Sequence, residues 1–535
     1  MLEYVDYITS IKWLYLFGMS LGISSIPYFY FSKGKYSSII ILFVAVLLTN
    51  VFYIFSDPFL YLWDEQFHAM VAKNMLKNPF YPYLLEPDKI YEHSICWVGN
   101  NVWLHKQPAF LWLIALSFKV FGVHYWSLRL PSAILSALQI FAIYGIGKRV
   151  LSKEVGFWAA IFYFAFAAFV PLITGRLNTD HNDAMFATFV IFSIYFYFKY
   201  LDAKKTKYII LIGIFAAFAI LTKWAVGLLV FSAWGINIIF NRDLRRDIKS
   251  YFHIILSFLI SCILVLPWQI YAYLRFPKDY IFENQTTGNH FFNVIEMHSG
   301  SWDYYLDILN NTVAHNFAKI IIIALIIFAF PIIKTLRKQK IAVLAYILIM
   351  YIFFSFSATK MPMFVNPVLP LLMIVLAAVI ISLISKLYEI PLLKNKNKIF
   401  KTITIIVLSI ATTLWIYDDH EYKLKPIYRQ SIWRHYASEA KIFEKLASKI
   451  DDSKNAMVFN FPEYGNIRFT FITSIDARSY LPDSLTIANL TKRNIVPYIF
   501  DNQMLPEYIL KNTNIKIVKS SIWNYDNFLT NIQIK

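Results

Sequence analysis

The sequence predicts an α-helical polytopic membrane protein of about twelve transmembrane helices, with re-entrant or interfacial helices and a small α/β domain at its C-terminal end. Three observations carry this. Of 535 residues, 58% are hydrophobic and 16% charged, with a mean hydropathy of +0.51, whereas a soluble domain is nearer half apolar and a quarter charged. The apolar residues form continuous runs of roughly 16 to 23, each able to cross about 30 Å of hydrocarbon as a helix, where a β-barrel would alternate. The lysines and arginines behind the net charge of +18 sit mostly in short loops between those runs, as expected of cytoplasmic loops. The charge therefore reads as topology, not as a nucleic-acid surface.

The runs at 11–31 and 38–60 are joined by a turn with Lys33 and Lys35, which puts Asp64 outside. Met1 to Ser10 carries Glu3 and Asp6 and no basic start, so no cleavable signal peptide is expected. The first outer loop, 61–128, organises the chain. It opens Tyr61-Leu62-Trp63-Asp64-Glu65, contains His68, His93, His105, Lys106 and His124, and includes Phe67–Leu76, whose helical spacing predicts a helix along the membrane surface. The run Ala109–Phe121 is short for a crossing. Were it to cross, the span at 129–147 would end outside at Lys148, Arg149 and Lys153, against the inside bias. It is therefore read as re-entrant or interfacial.

With that choice, spans near 155–173, 184–200, 208–222, 225–240, 251–273, 318–333, 341–357, 367–385 and 402–417 fall into phase. Every dense basic cluster, such as Arg242, Arg245, Arg246 and Lys249, or Lys334, Arg337, Lys338 and Lys340, then lies on one side. The transmembrane domain is 1–417, with a second long outer loop at 274–317. From Asp418 charges become frequent, and 418–535 reads as a soluble domain on the Asp64 side, with an amphipathic helix at Trp433–Ile450 and strands at Ala456–Phe461 and Ile515–Val518. The two cysteines, Cys96 and Cys262, imply no disulfide framework. No internal repeat is visible, which argues against a secondary transporter of repeated halves.

Against this topology, Asp64, Glu65, His105, Lys106, Arg176, Asp180, Asp183, Lys223 and Lys360 share one depth, the outer ends of spans. Asp64-Glu65 either caps a helix at a span end or marks a functional site if buried. The turn Thr174–Asp183 is either solvated or holds a divalent metal or sugar hydroxyls. Lys106, Lys223 and Lys360, each beside aromatic, proline or apolar residues, either snorkel or hold a phosphate at headgroup level. Phe282-Glu283-Asn284 and His298 to Tyr305 lie in an aromatic-rich loop that suits sugar stacking or an interfacial belt.

Taken in order, these motifs resemble a known family. Asp64-Glu65 after an early span, Lys106-Gln107-Pro108 before a re-entrant helix, Phe121-Gly122, Arg129-Leu130-Pro131-Ser132, Asp183-Ala184-Met185-Phe186, Leu221-Thr222-Lys223, Leu266-Pro267-Trp268, Phe282-Glu283-Asn284, His298 with Trp302-Asp303-Tyr304-Tyr305, and Lys360-Met361-Pro362 with Leu369-Pro370 are similar to the GT-C membrane glycosyltransferases. Within that fold the pattern looks most like the lipid A aminoarabinose transferases of the wider protein O-mannosyltransferase-like superfamily, over about residues 60–385. The chain departs from that pattern at Phe67, Trp103 and Phe364, where an arginine and two tyrosines are expected.

The resemblance implies an inverting transfer of a sugar, such as an amino sugar, from a polyprenyl-phosphate carrier to lipid A at the outer face of a bacterial inner membrane. Acceptors in proteins or another glycolipid are the alternative, and a lipid-linked substrate flippase is an alternative of another class. By position, Asp64 with Glu65 would be the catalytic carboxylates. Lys106, helped by Arg176, Lys223 and Lys360, would hold the donor phosphate. Asp180, Asp183 and Glu283 would be sugar, acceptor or metal candidates. The relatives hold a structural zinc at the positions of His105 and His298, so a zinc is an expectation there.

Overall fold

The computed structural model describes all residues except 1, 91–96, 167–168, 177–179, 311–317, 332, 334, 388–396, 425, 462–464, 502–504, 521–531 and 535. Each of the twelve predicted spans contains helix among its described residues. Eight described segments are long and apolar enough to cross a membrane: Asp6–Phe31, Ser37–Phe55, Tyr125–Val150, His181–Ala203, Thr206–Phe240, Ile248–Arg275, Arg337–Phe356 and Asn366–Leu387. Shorter apolar helices at Lys153–Phe166, Ala318–Ala329 and Thr402–Trp415 complete the bundle.

The segment Thr206–Phe240 is two helices. It breaks at Trp224, whose φ is 49°, and a tight turn at Trp224–Leu228 brings Gly227 so close to Ile220 that a Cβ there would stand 2.5 Å from the Ile220 nitrogen. Only glycine permits that approach, and the sequence division into 208–222 and 225–240 follows from it.

One end of the bundle gathers the basic loops. Arg149 pairs with Asp202 at 2.8 Å, Lys204 pairs with Asp247, and Lys338 donates to the carbonyl of Leu201 at 2.6 Å. Loops far apart in sequence thus close one face with their charges, as the inside assignment requires.

The chain reads differently in two places. The span expected at 38–60 stops at Phe55, because Pro58 lacks a donor and biases Asp57 away from helical geometry. The helix expected on the membrane surface is Asp64–Asn74, and all but one of its residues are buried. It is covered by the C-terminal helix Gly465–Thr473, with Lys73 donating to the carbonyl of Phe471 at 2.7 Å. Its polar residues face protein rather than headgroups. The short run forms the helix Pro108–Phe121, with Pro108 at its first position and Gly122, φ 83°, at its end. Leu116, Val120 and Phe121 stay at least half exposed, as an interfacial helix requires.

The C-terminal residues form a five-stranded sheet of strands β1 (Ala456–Phe459), β2 (Asp476–Ala477), β3 (Val496–Phe500), β4 (Lys516–Ser520) and β5 (Ile532–Ile534). The order is β2-β1-β3-β4-β5, parallel except for the antiparallel edge strand β5. The helix Asn397–Leu424 runs continuously from apolar to charged composition, and Pro426–Ala447 follows it.

Candidate active site

The carbonyls freed where Pro58 ends the second span are taken by Arg129, which is fully buried. Its guanidinium donates to the carbonyls of Ile54 at 3.4 Å, Asp57 at 2.5 Å and Phe59 at 2.7 Å. It also forks onto Glu65 at 2.7 and 2.9 Å. The backbone N–H of Tyr61 donates to the same carboxylate at 2.7 Å, and His181 Nε2 lies 3.3 Å away. Gly175, φ 71°, leaves room for it, since a Cβ there would stand 2.2 Å from the Glu65 carboxyl carbon. Burial works to raise the Glu65 pKa, but Arg129 and His181 outweigh it and hold the carboxyl below its ordinary value.

From this knot the chain turns sharply through Trp63, φ 78°, into the helix Asp64–Asn74. Asp64 is delivered to a cavity of about 180 Å³ whose polar lining includes Asp64, His105, Lys106, Asp183, Lys223 and Glu283. Lys106 Nζ stands 3.9 Å from an Asp64 oxygen. Lys223 pairs with Asp183, and its ammonium sits 4.0 Å above the Phe364 ring. Phe364, where a tyrosine is expected from the motif pattern, thus presents its ring face to a cation and carries no hydroxyl. Trp63, Trp97, Phe291, Phe353 and Phe354 wall the remainder.

His105 Nδ1 lies 3.2 Å from Glu283 Oε2, and the imidazole stacks on Trp97 with centroids 4.4 Å apart at 7°. Burial pushes the Glu283 carboxyl up to about 8, with Lys106 opposing and Asp279 adding to the rise. Burial, helped by Lys106, holds His105 well below its ordinary value and His290 at about 4. Near neutral pH this wall of the cavity therefore carries uncharged imidazoles and a largely protonated carboxyl.

A folded-state pKa raised from 4.5 to about 8 stabilises the fold at low pH, and that contribution is lost as pH rises through 8. The thermal midpoint of the detergent-solubilised protein should therefore fall between about pH 6.5 and 8 relative to that of Glu283→Gln. Parallel curves for the two proteins across this window would rule the effect out.

Several expected site residues lie elsewhere. Glu65 is enclosed by Arg129 and His181, outside the cavity. Arg176 pairs with Asp57 at 2.8 Å and donates to Ser56 at 2.9 Å. Lys360 donates to the carbonyls of Ser355 at 3.0 Å and Ser357 at 2.5 Å, at the end of the helix Arg337–Phe356, where carbonyls lack intrahelical partners. Asp180 begins the helix Asp180–Ala203, and its side chain lies outside the described residues, as does His93. His298 does not line the cavity; its carbonyl accepts from the Lys360 N–H at 2.9 Å. His105 is held between Glu283 and Trp97, and the described residues bring together no group of three or more metal-ligating side chains.

Trp97, His290 and Glu296 enter the cavity without a motif to announce them. They meet because Trp97 Nε1 donates to Glu296 at 2.8 Å, joining the two outer loops across 199 residues of sequence.

A family model described as dolichyl-phosphate-mannose-protein mannosyltransferase matches residues 105–271. A protein of undescribed function from Aquifex aeolicus is 24% identical over 388 residues, 70% of each chain. An undecaprenyl phosphate-α-4-amino-4-deoxy-L-arabinose arabinosyl transferase of Pseudomonas savastanoi pv. phaseolicola is 22% identical over 288 residues, 52% of this chain and 49% of that protein. The match thus spans about half the length of that named relative. Among solved structures, ArnT from Cupriavidus metallidurans bound to undecaprenyl phosphate superposes with a TM-score of 0.63 at 16% identity, covering 90% of this chain and 93% of that one. The Archaeoglobus fulgidus oligosaccharyltransferase AglB gives 0.53 at 12% identity, over 89% and 69%. With its span order and these likenesses, the chain has the GT-C fold and resembles the arabinosyl and protein mannosyl transferases that share it.

Proposed function

We propose that this protein moves a sugar, an amino sugar in the leading reading, from a polyprenyl-phosphate carrier to lipid A at the outer, periplasmic face of a bacterial inner membrane. The observation that carries the reading is the meeting of Asp64 and Lys106 in one aromatic-walled cavity at the mouth of the span bundle. Breaking an anomeric carbon–phosphate bond builds positive charge on the sugar and negative charge on the departing phosphate, so the site needs a cation beside the phosphate and a carboxylate beside the sugar or acceptor.

Lys106 takes the first role, with Lys223 as the second cation of the cavity. Asp64 takes the second: it receives the proton of an acceptor hydroxyl, or orients an acceptor that is already an anionic phosphate. Attack from the face opposite the carrier phosphate inverts the anomeric centre and requires no protein nucleophile. Glu283, protonated and beside His105, suits hydrogen bonding to sugar hydroxyls.

The match to a protein mannosyltransferase family model favours a second reading, with a hexose passed to a protein. Mass spectrometry of lipid A from cells with and without the protein separates the two. A sugar-sized mass present only with the protein is expected. Unchanged lipid A, with glycopeptides that depend on the protein, would replace the first reading by the second.

A further inference from the structure

The turn that delivers Asp64 is strained, and the C-terminal domain lies against it. Trp63 combines φ 78° with ψ −133°, a region a bulky residue enters only when its surroundings hold it there. Tyr436, from the helix Pro426–Ala447, stacks on Phe59 with centroids 5.3 Å apart at 22° and meets Tyr61 edge-on at 5.5 Å. Its hydroxyl accepts the N–H of Leu62 at 3.3 Å, directly before Trp63.

The other side of the turn is held from the helix Gly465–Thr473. Arg468, 4% exposed, forks onto Glu439 at 2.8 and 2.6 Å and lies over the Tyr436 ring at 5.4 Å. Its remaining nitrogen donates to the Gln66 side chain at 3.3 Å, two residues beyond Asp64. Neither Tyr436 nor Arg468 lines the cavity.

We propose that Tyr436 and Arg468 are positioning residues, which fix the turn from Leu62 to Gln66 and thereby the direction in which the Asp64 carboxylate enters the cavity. The inference rests on the reading of that cavity as the sugar-transfer site. A fork bonded to Glu439, a stacked ring and a hydrogen bond on each side of Trp63 form one continuous brace. A carboxylate displaced by about 1 Å can lose on the order of 10²-fold in rate, so a brace on the turn acts on turnover more than on substrate affinity.

The test uses the full-length protein in lipid nanodiscs, with undecaprenyl-phosphate-linked aminoarabinose and lipid A as probes. Arg468→Met and Gln66→Leu should each lower kcat by about tenfold with KM changed less than about twofold. The double variant should be no worse than the weaker single, because both remove the same bond. Tyr436→Phe, which keeps the stacking, should retain most of the turnover that Tyr436→Ala loses. Hydrogen exchange should quicken across 62–70 in Arg468→Met while 496–500, in β3, keeps its protection. Unchanged exchange across 62–70, or a wild-type kcat in Arg468→Met where Asp64→Asn abolishes transfer, would overturn the proposal. Full transfer by Asp64→Asn would instead remove the functional reading, and the exchange data would still decide whether the brace holds the turn.

Discussion

Asp64→Asn is expected to lower sugar transfer by about 10²- to 10⁴-fold, the range for loss of a positioned general base, while the protein stays folded. The substitution keeps the shape of the side chain and removes its charge. Lys106, 3.9 Å away, then keeps its cation and loses its carboxylate neighbour. Lys106→Met tests the opposite half of the pair and should act chiefly on donor binding, since a cation that meets the carrier phosphate in ground state and transition state alike sets KM. Steady-state kinetics with donor and acceptor varied separately distinguish these effects. A rate for Asp64→Asn within about threefold of wild type would place the chemistry on another carboxylate of the cavity, with Asp183, Glu283 and Glu296 as the choices. An acceptor that is already an anionic phosphate would move the loss toward the lower end of the range, because no proton then needs a base.

Arg129→Met is expected to destabilise the protein by about 3–5 kcal/mol, the cost of leaving a buried charge without its partner. Arg129 and Glu65 are both at most 1% exposed, and the guanidinium also satisfies three carbonyls around the break at Pro58, those of Ile54, Asp57 and Phe59. Its removal leaves the Glu65 carboxylate dependent on His181 and the Tyr61 N–H. Adding Glu65→Gln should recover part of the loss, because the amide carries no charge to leave stranded. The check is the thermal midpoint in detergent, read alongside protease resistance of the first outer loop. Equal midpoints for wild type and Arg129→Met would mean that water or another cation compensates inside the knot.

The spans were legible because each is a continuous apolar run, and the basic loops gave their direction; periodicity and charge are local properties that survive any tertiary arrangement. Asp64 and Lys106 were legible for a related reason, as charges at the wrong end of greasy helices. The distinction between Asp64 and its neighbour Glu65 was not. Adjacent residues at the start of a helix point about 100° apart, and only the placement of Arg129, 64 residues later, decides which carboxylate is locked away and which is offered to the cavity. Arg176 and Lys360 looked like phosphate ligands for the same reason as Lys106. Each is taken up by a partner that the sequence does not place beside it, Asp57 for one and helix-end carbonyls for the other. The surface helix was misplaced because an amphipathic pattern states that one face is covered without stating by what. The cover is a domain that begins more than 300 residues downstream.

Gln66 and Arg468 stand 402 positions apart. A chain emerging from the ribosome inserts its early spans long before Arg468 exists, and domains fold as units in the order they are made. The turn bearing Asp64 therefore waits, unbraced, through most of synthesis. A chain cut short after its last span would carry the lysines and aspartates of the cavity in the membrane yet lack the clasp that aims them. On the reading of the cavity as the sugar-transfer site, such a molecule would hold a donor without the aim that spends it, because a late part of the chain closes over an early one.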